Sequence, residues 1–338
     1  MKILVCKSPG VFEYQEVAKP VLTKGNVIIR IRRIGICGTD LHAFKGIQPY
    51  FEYPRVLGHE LSGEIVELEK DLPGFNKGDA VTFIPYFSCG KCIACRSGKP
   101  NCCVSIQVFG VHIDGGMAEY VSVPADALVK GNGLNYDELA MVEPLSIGAH
   151  GVRRAAIQPE EFVLIIGAGP IGIGTMLMAG IAGAQVIAMD INETRLAFCK
   201  KQLGIRHLVN PTTSDPETQL SRITNGDMPT VIIDATGNQH AINNAFHYLA
   251  HGGRYILIGL QKEDIIFNHP QFHKREATLM SSRNATREDF EYVTTIIRNK
   301  QLSAANYITH KVTFDEVKTA FTSWQQPDNG VIKAMVTL

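Results

Sequence analysis

The sequence predicts an α/β protein with two domains, one of which is a doubly wound parallel sheet. Three observations support this fold class. The 338 residues are enough for two domains of ordinary size. Roughly the first 145 residues form short alternating strands separated by glycine and proline. From about Phe162 onward, apolar strands alternate with helices.

The N-terminal part predicts a twisted antiparallel sheet or partial barrel that carries long loops. In residues 27–32 and 64–69, apolar side chains alternate with polar ones, as they do in a strand with one buried face. Pairs such as Pro73-Gly74 and Gly115-Gly116 mark turns between such strands.

The second part predicts strands at 162–167, 185–190, 230–234 and 254–259, with helices at 170–183, 193–203 and 241–250. Apolar strands that alternate with helices in this way form parallel sheets covered on both faces. Beyond about Arg283, two helical stretches (288–299 and 314–324) precede a last strand at 331–336. We expect this tail to return to the first domain.

Composition excludes several classes of function. Lys plus Arg and Asp plus Glu both number 33, so bulk charge favours neither nucleic acid nor an anionic membrane as a partner. The longest apolar stretch, 162–189, is interrupted by glycines and a proline, which predicts strand, loop, helix and strand rather than a membrane span. The N-terminal apolar run is too short for a signal peptide. We therefore expect a cytoplasmic protein that acts on a small molecule.

Four cysteines form the most specific motif of the chain. The spacing Cys-x2-Cys-x2-Cys-x7-Cys lets one compact lobe wrap four thiolates around a tetrahedral zinc. Four sulfurs leave no open coordination position, so this metal is expected to be structural. The remaining thiols (Cys6, Cys102 and Cys199) have packing as the simpler interpretation. The predicted structural zinc ligands are Cys89, Cys92, Cys95 and Cys103.

A glycine-rich loop predicts a dinucleotide site. Its three glycines follow a strand and open a helix, where they allow a tight turn, the close approach of a pyrophosphate and close packing of helix on strand. Asp190 ends the next strand, and an acidic residue there accepts hydrogen bonds from ribose hydroxyls and repels a 2′-phosphate, which favours NAD over NADP. The alternative is a glycine-rich turn without a ligand. The predicted cofactor-binding residues are Gly167, Gly169, Pro170, Ile171, Gly172, Asp190, Arg195, Thr236 and Gly259.

A second, open metal site is predicted by residues outside the cysteine lobe. Oxidation of an alcohol by hydride transfer requires the hydroxyl to lose its proton, and a zinc ion with a free position promotes this loss. Cys37 and His59 are suitable zinc ligands, and Glu60 and Glu143 can each supply an oxygen. One glutamate can bind the metal while the other lies in its surroundings, or the two can exchange during turnover.

Two further residues predict a path for the substrate proton. Thr39 and His42 follow Cys37 by two and five residues. A hydroxyl close to the substrate oxygen can pass a proton through the cofactor ribose to an exposed imidazole. A surface histidine without such a role is the alternative for His42.

With these motifs, the chain resembles the zinc-dependent medium-chain alcohol dehydrogenase superfamily over nearly its whole length. The resemblance implies a GroES-like catalytic domain at 1–146 and 284–338, with a Rossmann NAD-binding domain at 147–283 inserted between. It implies that Cys37, His59 and Glu143 bind catalytic zinc with Glu60 close by, and that the four cysteines bind structural zinc. It also implies that Thr39 and His42 form the proton relay. Members of the superfamily are commonly dimers or tetramers, so a homo-oligomer is expected.

Within the superfamily, the chain is most similar to the branch that acts on sorbitol, other polyols and sugar acids. Residues 53–60, 110–116, 234–240 and 282–286 carry this resemblance. Simple alcohol dehydrogenases have cysteine in place of Glu143, which argues against an ethanol-type role. His112 and Arg283 are candidate substrate contacts because a sugar carboxylate requires a cationic or donor partner. Either of them could equally have a structural role.

Two other functions are compatible with the sequence. The pattern of residues 37–42 is shared with L-threonine dehydrogenases, so an amino alcohol is an alternative substrate. A zinc- and NAD-binding protein with a regulatory role and no turnover is the alternative of another class. The open site formed by Cys37, His59 and Glu143 argues against the latter, because a protein that only binds has no need of a free coordination position.

Overall fold

The structure is a computed structural model that describes residues 1–49, 51–70, 72–326 and 329–338. It divides into two compact units. Unit 1 comprises Met1–Pro144 and Thr286–Leu338, and unit 2 comprises Leu145–Ala285. Among the described helices, none combines the length and apolar character that a membrane span requires.

The strands are numbered in chain order. They are β1 (Lys2–Ser8), β2 (Val11–Glu16), β3 (Asn26–Gly35), β4 (Arg55–Val56), β5 (Glu60–Glu67), β6 (Ala80–Phe83), β7 (Tyr86–Phe87), β8 (Gln107–Val108), β9 (Tyr120–Pro124), β10 (Leu128–Lys130), β11 (Phe162–Ile166), β12 (Gln185–Met189), β13 (His207–Val209), β14 (Val231–Asp234), β15 (Arg254–Leu257), β16 (Thr278–Ser281), β17 (His310–Thr313) and β18 (Ala334–Thr337).

The α-helices are numbered in the same way, and short 3-10 turns link several of them. They are α1 (Gly38–Lys45), α2 (Ile93–Arg96), α3 (Tyr136–Ala140), α4 (Val142–Ala155), α5 (Pro170–Ile181), α6 (Glu193–Leu203), α7 (Pro216–Ile223), α8 (Gln239–Ala245), α9 (His269–Lys274), α10 (Arg287–Arg298) and α11 (Val317–Trp324).

Unit 1 is built on a mainly antiparallel sheet. Its strand order is β10-β6-β5-β3-β18-β17, and β9 also pairs with β3. A second sheet has the order β2-β1-β4, and β7 pairs with β8 next to the cysteine lobe. The long strand β3 alternates inward residues such as Ile29 and Ile31, which are about 1% exposed, with outward arginines. These inward side chains pack with Phe83 and Phe321 in one apolar core.

Unit 2 is a parallel sheet in the order β13-β12-β11-β14-β15-β16, in which each neighbouring pair is parallel. This order reverses next to β11, the point at which doubly wound sheets bind their ligands. The core strands are apolar on both faces, and Leu164, Ile187 and Ile232 are fully buried. A partly buried ion pair joins the start of β15 to the residue before β11, because Arg254 donates to both carboxylate oxygens of Glu161 at 2.8 and 2.7 Å.

The predicted fold class is confirmed, with differences in detail. The tail joins the first sheet through β18, which pairs with β3 between Met335 and Gly35. The predicted helix at 314–324 begins as a 3-10 turn at Phe314–Glu316, and the predicted last strand is shorter than expected. Several short elements were missed: β13, α7, α9 and β16 lie in polar or mixed segments whose periodicity is too brief to detect.

Candidate functional site

Three of the four residues predicted for the open metal site, Cys37, His59 and Glu60, come together at the junction of β3 and β5. Pairing of Gly35 with Glu60 places the end of β3 beside the start of β5. Ligand atoms of Cys37, His59 and Glu60 all lie within 4.8 Å of one another. His59 and Glu60 are buried and Cys37 is half-buried. A thiol, an imidazole and a carboxylate in this arrangement fit a zinc ion.

Asp40 organises the backbone of this site. Its side chain accepts hydrogen bonds from the backbone N–H of Cys37 at 2.9 Å and of Gly58 at 3.1 Å, and it is 1% exposed. Cys37 precedes α1 and Asp40 is the third residue of that helix, so the same contact also caps the helix. Asp40 Oδ1 lies 3.7 Å from His59 Nδ1. A carboxylate in this position orients a ligating imidazole.

The site has a strongly negative electrostatic environment. Burial lowers the pKa of His59, but Asp40 and Cys37 outweigh burial and raise this pKa well above its ordinary value. Among the described residues, His59 Nδ1 is a buried nitrogen without a hydrogen-bond partner. The same potential that favours a proton on His59 favours a divalent cation, which supports the fit of these residues to zinc.

The two glutamates have different partners. Glu143 is 4% exposed, and its Oε1 accepts a hydrogen bond from the buried phenol of Tyr86. Burial raises the pKa of Glu143 to about 7, with His59 opposing and Glu60 adding to the rise. Glu60 is fully buried, and both of its oxygens lie 2.6 Å from Nζ of Lys333. Tyr86 therefore holds the Glu143 carboxylate, and Lys333 holds that of Glu60.

The predicted proton-relay residues both lie on α1. Thr39 is half-buried and His42 is exposed. Their spacing of three residues places them on one face of the helix. Partial desolvation and the ammonium of Lys45 lower the pKa of His42, so its neutral form, which can accept a proton, is favoured. Their role in proton transfer remains a prediction.

The four cysteines of the predicted structural site lie together. Their sulfur atoms are within 4.8 Å of one another, and none of them forms a disulfide. The backbone N–H groups of Lys91 and Cys92 lower the pKa of the Cys89 thiol to about 6, which favours the thiolate that zinc binds. The backbone N–H of Cys89 itself donates to the sulfur of Cys103 at 3.2 Å. This closed set fits a structural zinc.

The glycine-rich loop lies between β11 and α5. Gly167 has φ +99°, and a Cβ at Gly172 would lie 1.7 Å from the Gly167 carbonyl oxygen, so both positions require glycine. A cavity of about 720 Å³ opens beside the loop. Of the predicted cofactor residues, its lining includes Gly167, Gly169, Asp190, Arg195 and Thr236. This cavity has the size and the position for a dinucleotide.

Asp190 is engaged with its own loop. One carboxylate oxygen accepts from the backbone N–H of Ala168 at 2.6 Å and the other from Asn192 at 2.8 Å. Each carboxylate oxygen has further acceptor capacity, so ribose hydroxyls can still donate to it. Asp190 thus ties the glycine loop to the end of β12.

The loops after β14 and β15 meet at the carboxyl edge of the same sheet. Asp234 is buried and accepts hydrogen bonds from the backbone and hydroxyl of Thr236 and from the backbone of Gly237. A Cβ at Gly259 would lie 2.2 Å from the Gly237 nitrogen, so Gly259 permits close approach of these loops. Gly259 therefore has a structural role in this loop contact, and its role in cofactor binding stays a prediction.

The predicted substrate contacts lie on different units. In unit 1, His112 is half-buried and its Nδ1 accepts from the backbone N–H of Val108 at 2.9 Å, within its own turn. In unit 2, Arg283 follows β16 and has an exposed side chain. Their roles toward substrate remain predictions.

Sequence reasoning missed three residues of the metal site: Asp40, Tyr86 and Lys333. Asp40 carried a detectable signal, because an acidic residue at the third position of a helix is typical of a helix cap. Lys333 also carried one, because a lysine interrupts an otherwise apolar segment there. Tyr86 had no signal beyond its place before the cysteine lobe.

Comparisons with known proteins agree with this geometry. Residues 23–133 match the family described as "Alcohol dehydrogenase GroES-like domain", and residues 170–299 match "Zinc-binding dehydrogenase". L-galactonate-5-dehydrogenase of Escherichia coli K12 is 41% identical over 337 residues, covering 100% of this chain and 99% of the relative. Sorbitol dehydrogenase of Halalkalibacterium halodurans is 31% identical over 343 residues, with coverage of 100% and 99%.

A solved structure gives the same result for the fold. The crystal structure of the alcohol dehydrogenase RspB from Escherichia coli CFT073, complexed with NADH, has a TM-score of 0.92 and 29% identity. The match covers 100% of this chain and 99% of that one. The chain belongs to the zinc-dependent medium-chain alcohol dehydrogenase superfamily.

Proposed function

We propose that this protein is an NAD-dependent zinc dehydrogenase that oxidises a secondary hydroxyl of a sugar acid, such as L-galactonate, or of a polyol. The observation that carries the proposal is the cluster of the half-buried Cys37 with the buried His59 and Glu60, in a chain 41% identical to an L-galactonate-5-dehydrogenase. In the reaction the secondary alcohol loses a proton and a hydride and becomes a ketone, while NAD⁺ becomes NADH.

The chain's own residues supply binding, orientation and proton transfer. Cys37 and His59, together with Glu143 or Glu60, hold the zinc, which when bound polarises the substrate hydroxyl and lowers its pKa. Asp40 lies 3.7 Å from His59 Nδ1, where its charge favours this orientation of the ring. Thr39 and His42 carry the proton toward solvent, a role that the lowered pKa of His42 supports.

The proposed cofactor is NAD rather than NADP. Asp190 lines the cavity beside the glycine loop, and its carboxylate repels a 2′-phosphate. Solved relatives were obtained with either cofactor, NADH in one case and NADP in another. The test is the ratio of kcat/KM with NAD to kcat/KM with NADP. We expect this ratio to fall or invert in Asp190→Ala.

A substrate panel tests the activity. Formation of NADH is measured with L-galactonate, other aldonates, sorbitol and L-threonine, using Cys37→Ser as the inactive control. We expect the sugar acid or the polyol to give the highest kcat/KM. The highest value with L-threonine would favour the amino-alcohol alternative, and no turnover with any compound would argue against the proposed activity.

Metal analysis separates an enzyme from a protein that only binds zinc and NAD. We expect two zinc ions per chain, one at the cluster of Cys37 and His59 and one at the four cysteines. Cys37→Ser should retain only one. Tight NAD binding with a single zinc in the unsubstituted protein would instead support the regulatory alternative.

The proposal includes assembly and location. We expect a homo-oligomer, a dimer or a tetramer, and the edge strand β16 with its exposed Leu279 is a surface suited to contact between copies. Sedimentation of the protein and of Leu279→Glu tests this. We expect the protein in the cytoplasm, which fractionation of the source cells would check.

A further inference from the structure

The chain contains three Asn–Gly pairs, a dipeptide that can rearrange chemically without an enzyme. They are Asn132-Gly133, Asn225-Gly226 and Asn329-Gly330, and all of these residues are exposed. In the rearrangement, the backbone nitrogen of the glycine attacks the side-chain carbonyl carbon of the asparagine. Glycine permits this approach because it has no Cβ in the way. Sequence and exposure therefore do not separate the three pairs, but their hydrogen bonds do.

The first pair has both of its reacting groups free. Asn132 and Gly133 form the exposed tip of the turn between β10 and α3. Among the described residues, neither the side chain of Asn132 nor the backbone N–H of Gly133 has a hydrogen-bond partner. The nitrogen that attacks and the carbonyl carbon that is attacked are thus held only by the turn itself.

The turn is anchored on each side of this tip. The backbone N–H of the buried Gly131 donates to the carbonyl of Ala80 at 2.9 Å, and Leu134 is 8% exposed. Across the tip, the described part of the chain has one hydrogen bond, from the N–H of Leu134 to the carbonyl of Gly131 at 3.0 Å. Breaking that bond is enough to let the backbone of Asn132 rotate toward the reactive geometry.

The second pair is restrained at the attacking nitrogen. The backbone N–H of Gly226 donates to the carbonyl of Ser221 at 2.7 Å. Ser221 lies within α7, so release of this nitrogen requires the last turn of that helix to loosen. Asn132 and Asn225 share a left-handed backbone, with φ 50° and 54°. The hydrogen bond at Gly226, and not the conformation of the asparagine, therefore distinguishes the two pairs.

The third pair is restrained at the side chain that would be attacked. The amide nitrogen of Asn329 donates to the carbonyl of Ser323 at 2.7 Å and to its hydroxyl at 2.9 Å. The backbone N–H of Asn329 also donates to the carbonyl of Gln326 at 3.2 Å. Both side-chain hydrogen bonds must break before the amide can turn toward the glycine nitrogen.

We propose that Asn132 is a site of spontaneous deamidation in the folded protein, and that the other two Asn–Gly pairs are protected. The nitrogen of Gly133 forms a bond to Cγ of Asn132 and loses its proton, while Nδ2 leaves as ammonia. The product is a five-membered imide. One water molecule then opens the imide at either carbonyl, which yields aspartate or isoaspartate at this position. The proposal depends neither on the metal site nor on the identity of the substrate.

Isoaspartate would change how α3 is connected to the sheet. It adds one backbone carbon between Gly131 and Leu134, which are both anchored. The helix that follows is itself held on β5, because the hydroxyl of Ser62 donates to the carbonyl of Tyr136 at 2.6 Å. A longer connection between fixed points disturbs the packing of Leu134 or this contact of α3. We therefore expect the protein to lose stability as isoaspartate accumulates.

Incubation of the full-length protein in mildly alkaline buffer tests the proposal. Peptide mapping with mass spectrometry gives the rate of deamidation at each pair, and chromatography separates the isoaspartyl peptides. In the folded protein, we expect Asn132 to react at least about tenfold faster than Asn225 and Asn329, because their reactive states require more native hydrogen bonds to open. In urea, the three rates should agree within about threefold, because the protecting structure is absent.

Two variants at the exposed tip connect the modification to stability. Asn132→Gln forms the corresponding six-membered imide much more slowly, so its midpoint of urea unfolding should stay constant during incubation while that of the unsubstituted protein falls. Asn132→Asp, measured before incubation, adds the charge without the extra backbone carbon. It should lower the midpoint less than isoaspartate does. If a variant does not fold, the three rates in the unsubstituted protein still decide the proposal.

Three results would overturn the assignment of Asn132. They are equal rates at the three pairs in the folded protein, a faster reaction at Asn225 or Asn329, and rate differences in urea as large as those in the folded protein. An unchanged urea midpoint in protein that carries isoaspartate at this position would overturn the expected effect on α3.

Discussion

Asp40→Asn is the substitution that most directly tests how the metal site is organised. Asp40 has two backbone donors, the N–H groups of Cys37 at 2.9 Å and Gly58 at 3.1 Å, and it is essentially buried. Asparagine has the same shape but only one accepting oxygen, so one of the two N–H groups loses its acceptor. Loss of a buried hydrogen bond to a charged group costs about 1.5–3 kcal/mol.

The substitution should also affect the metal. The Asp40 carboxylate lies 3.7 Å from His59 Nδ1 and stabilises the orientation of that ring. Removal of such a partner typically weakens metal affinity by about 10–100-fold. The assays are urea unfolding of the protein treated with chelator, and competition between the protein and a coloured chelator for zinc.

Asp289→Ala is the control, because the two hydrogen bonds that Asp289 accepts from Thr286 end on one carboxylate oxygen, which asparagine would preserve and alanine removes. Asp289 is 2% exposed and accepts from the backbone N–H and the hydroxyl of Thr286 at 2.8 and 2.9 Å, as the cap of α10. It should lose a similar free energy of unfolding with zinc affinity changed by less than about twofold. If Asp40→Asn kept the zinc affinity of the unsubstituted protein while losing stability like the control, Asp40 would be only a helix cap.

Three further predictions concern other parts of the molecule. Gly172→Ala should weaken NADH binding measured by fluorescence by at least about tenfold, because its Cβ would lie 1.7 Å from a carbonyl oxygen of the loop, whereas Gly180→Ala in the same helix meets open space and should bind normally. Burial raises the pKa of Glu161, but a backbone N–H and the Arg partner on β15 outweigh it and lower the pKa. The ion pair of Glu161 with Arg254 should therefore add about 1 kcal/mol to the free energy of unfolding above pH 4.5, and this contribution is lost as the pH falls through the lowered pKa. Glu161→Gln should make the free energy of unfolding less dependent on pH in this range. Cys95→Ser should remove one zinc per chain and make the cysteine lobe sensitive to protease, while Cys102→Ser, at an exposed cysteine outside the cluster, should keep two.

Much of the fold was predictable because its signals are local. The spacing of Cys89, Cys92 and Cys95 is contained in one loop, and the glycine loop follows an apolar strand directly. The alternation of strands and helices after Phe162 fixes a parallel sheet for the same reason. Each of these patterns depends on neighbours in sequence, which can be read without knowledge of the fold.

The contacts that distinguish the two glutamates were not predictable in this way. Glu60 and Lys333 are separated by 273 positions, and only the pairing of β18 with β3 brings them together. Tyr86 reaches Glu143 across a separation of 57 positions. A motif can indicate that a carboxylate is near a metal, but the partner that restrains it comes from tertiary structure.

The position of β18 has a consequence for synthesis of the chain. This strand occupies a central place in the first sheet, between β3 and β17, although about 300 residues are translated between β3 and β18. The nascent polypeptide therefore emerges from the ribosome with a gap in its first domain, while the inserted domain can already fold. Until β18 arrives, the buried carboxylate of Glu60 lacks its ammonium partner, Lys333.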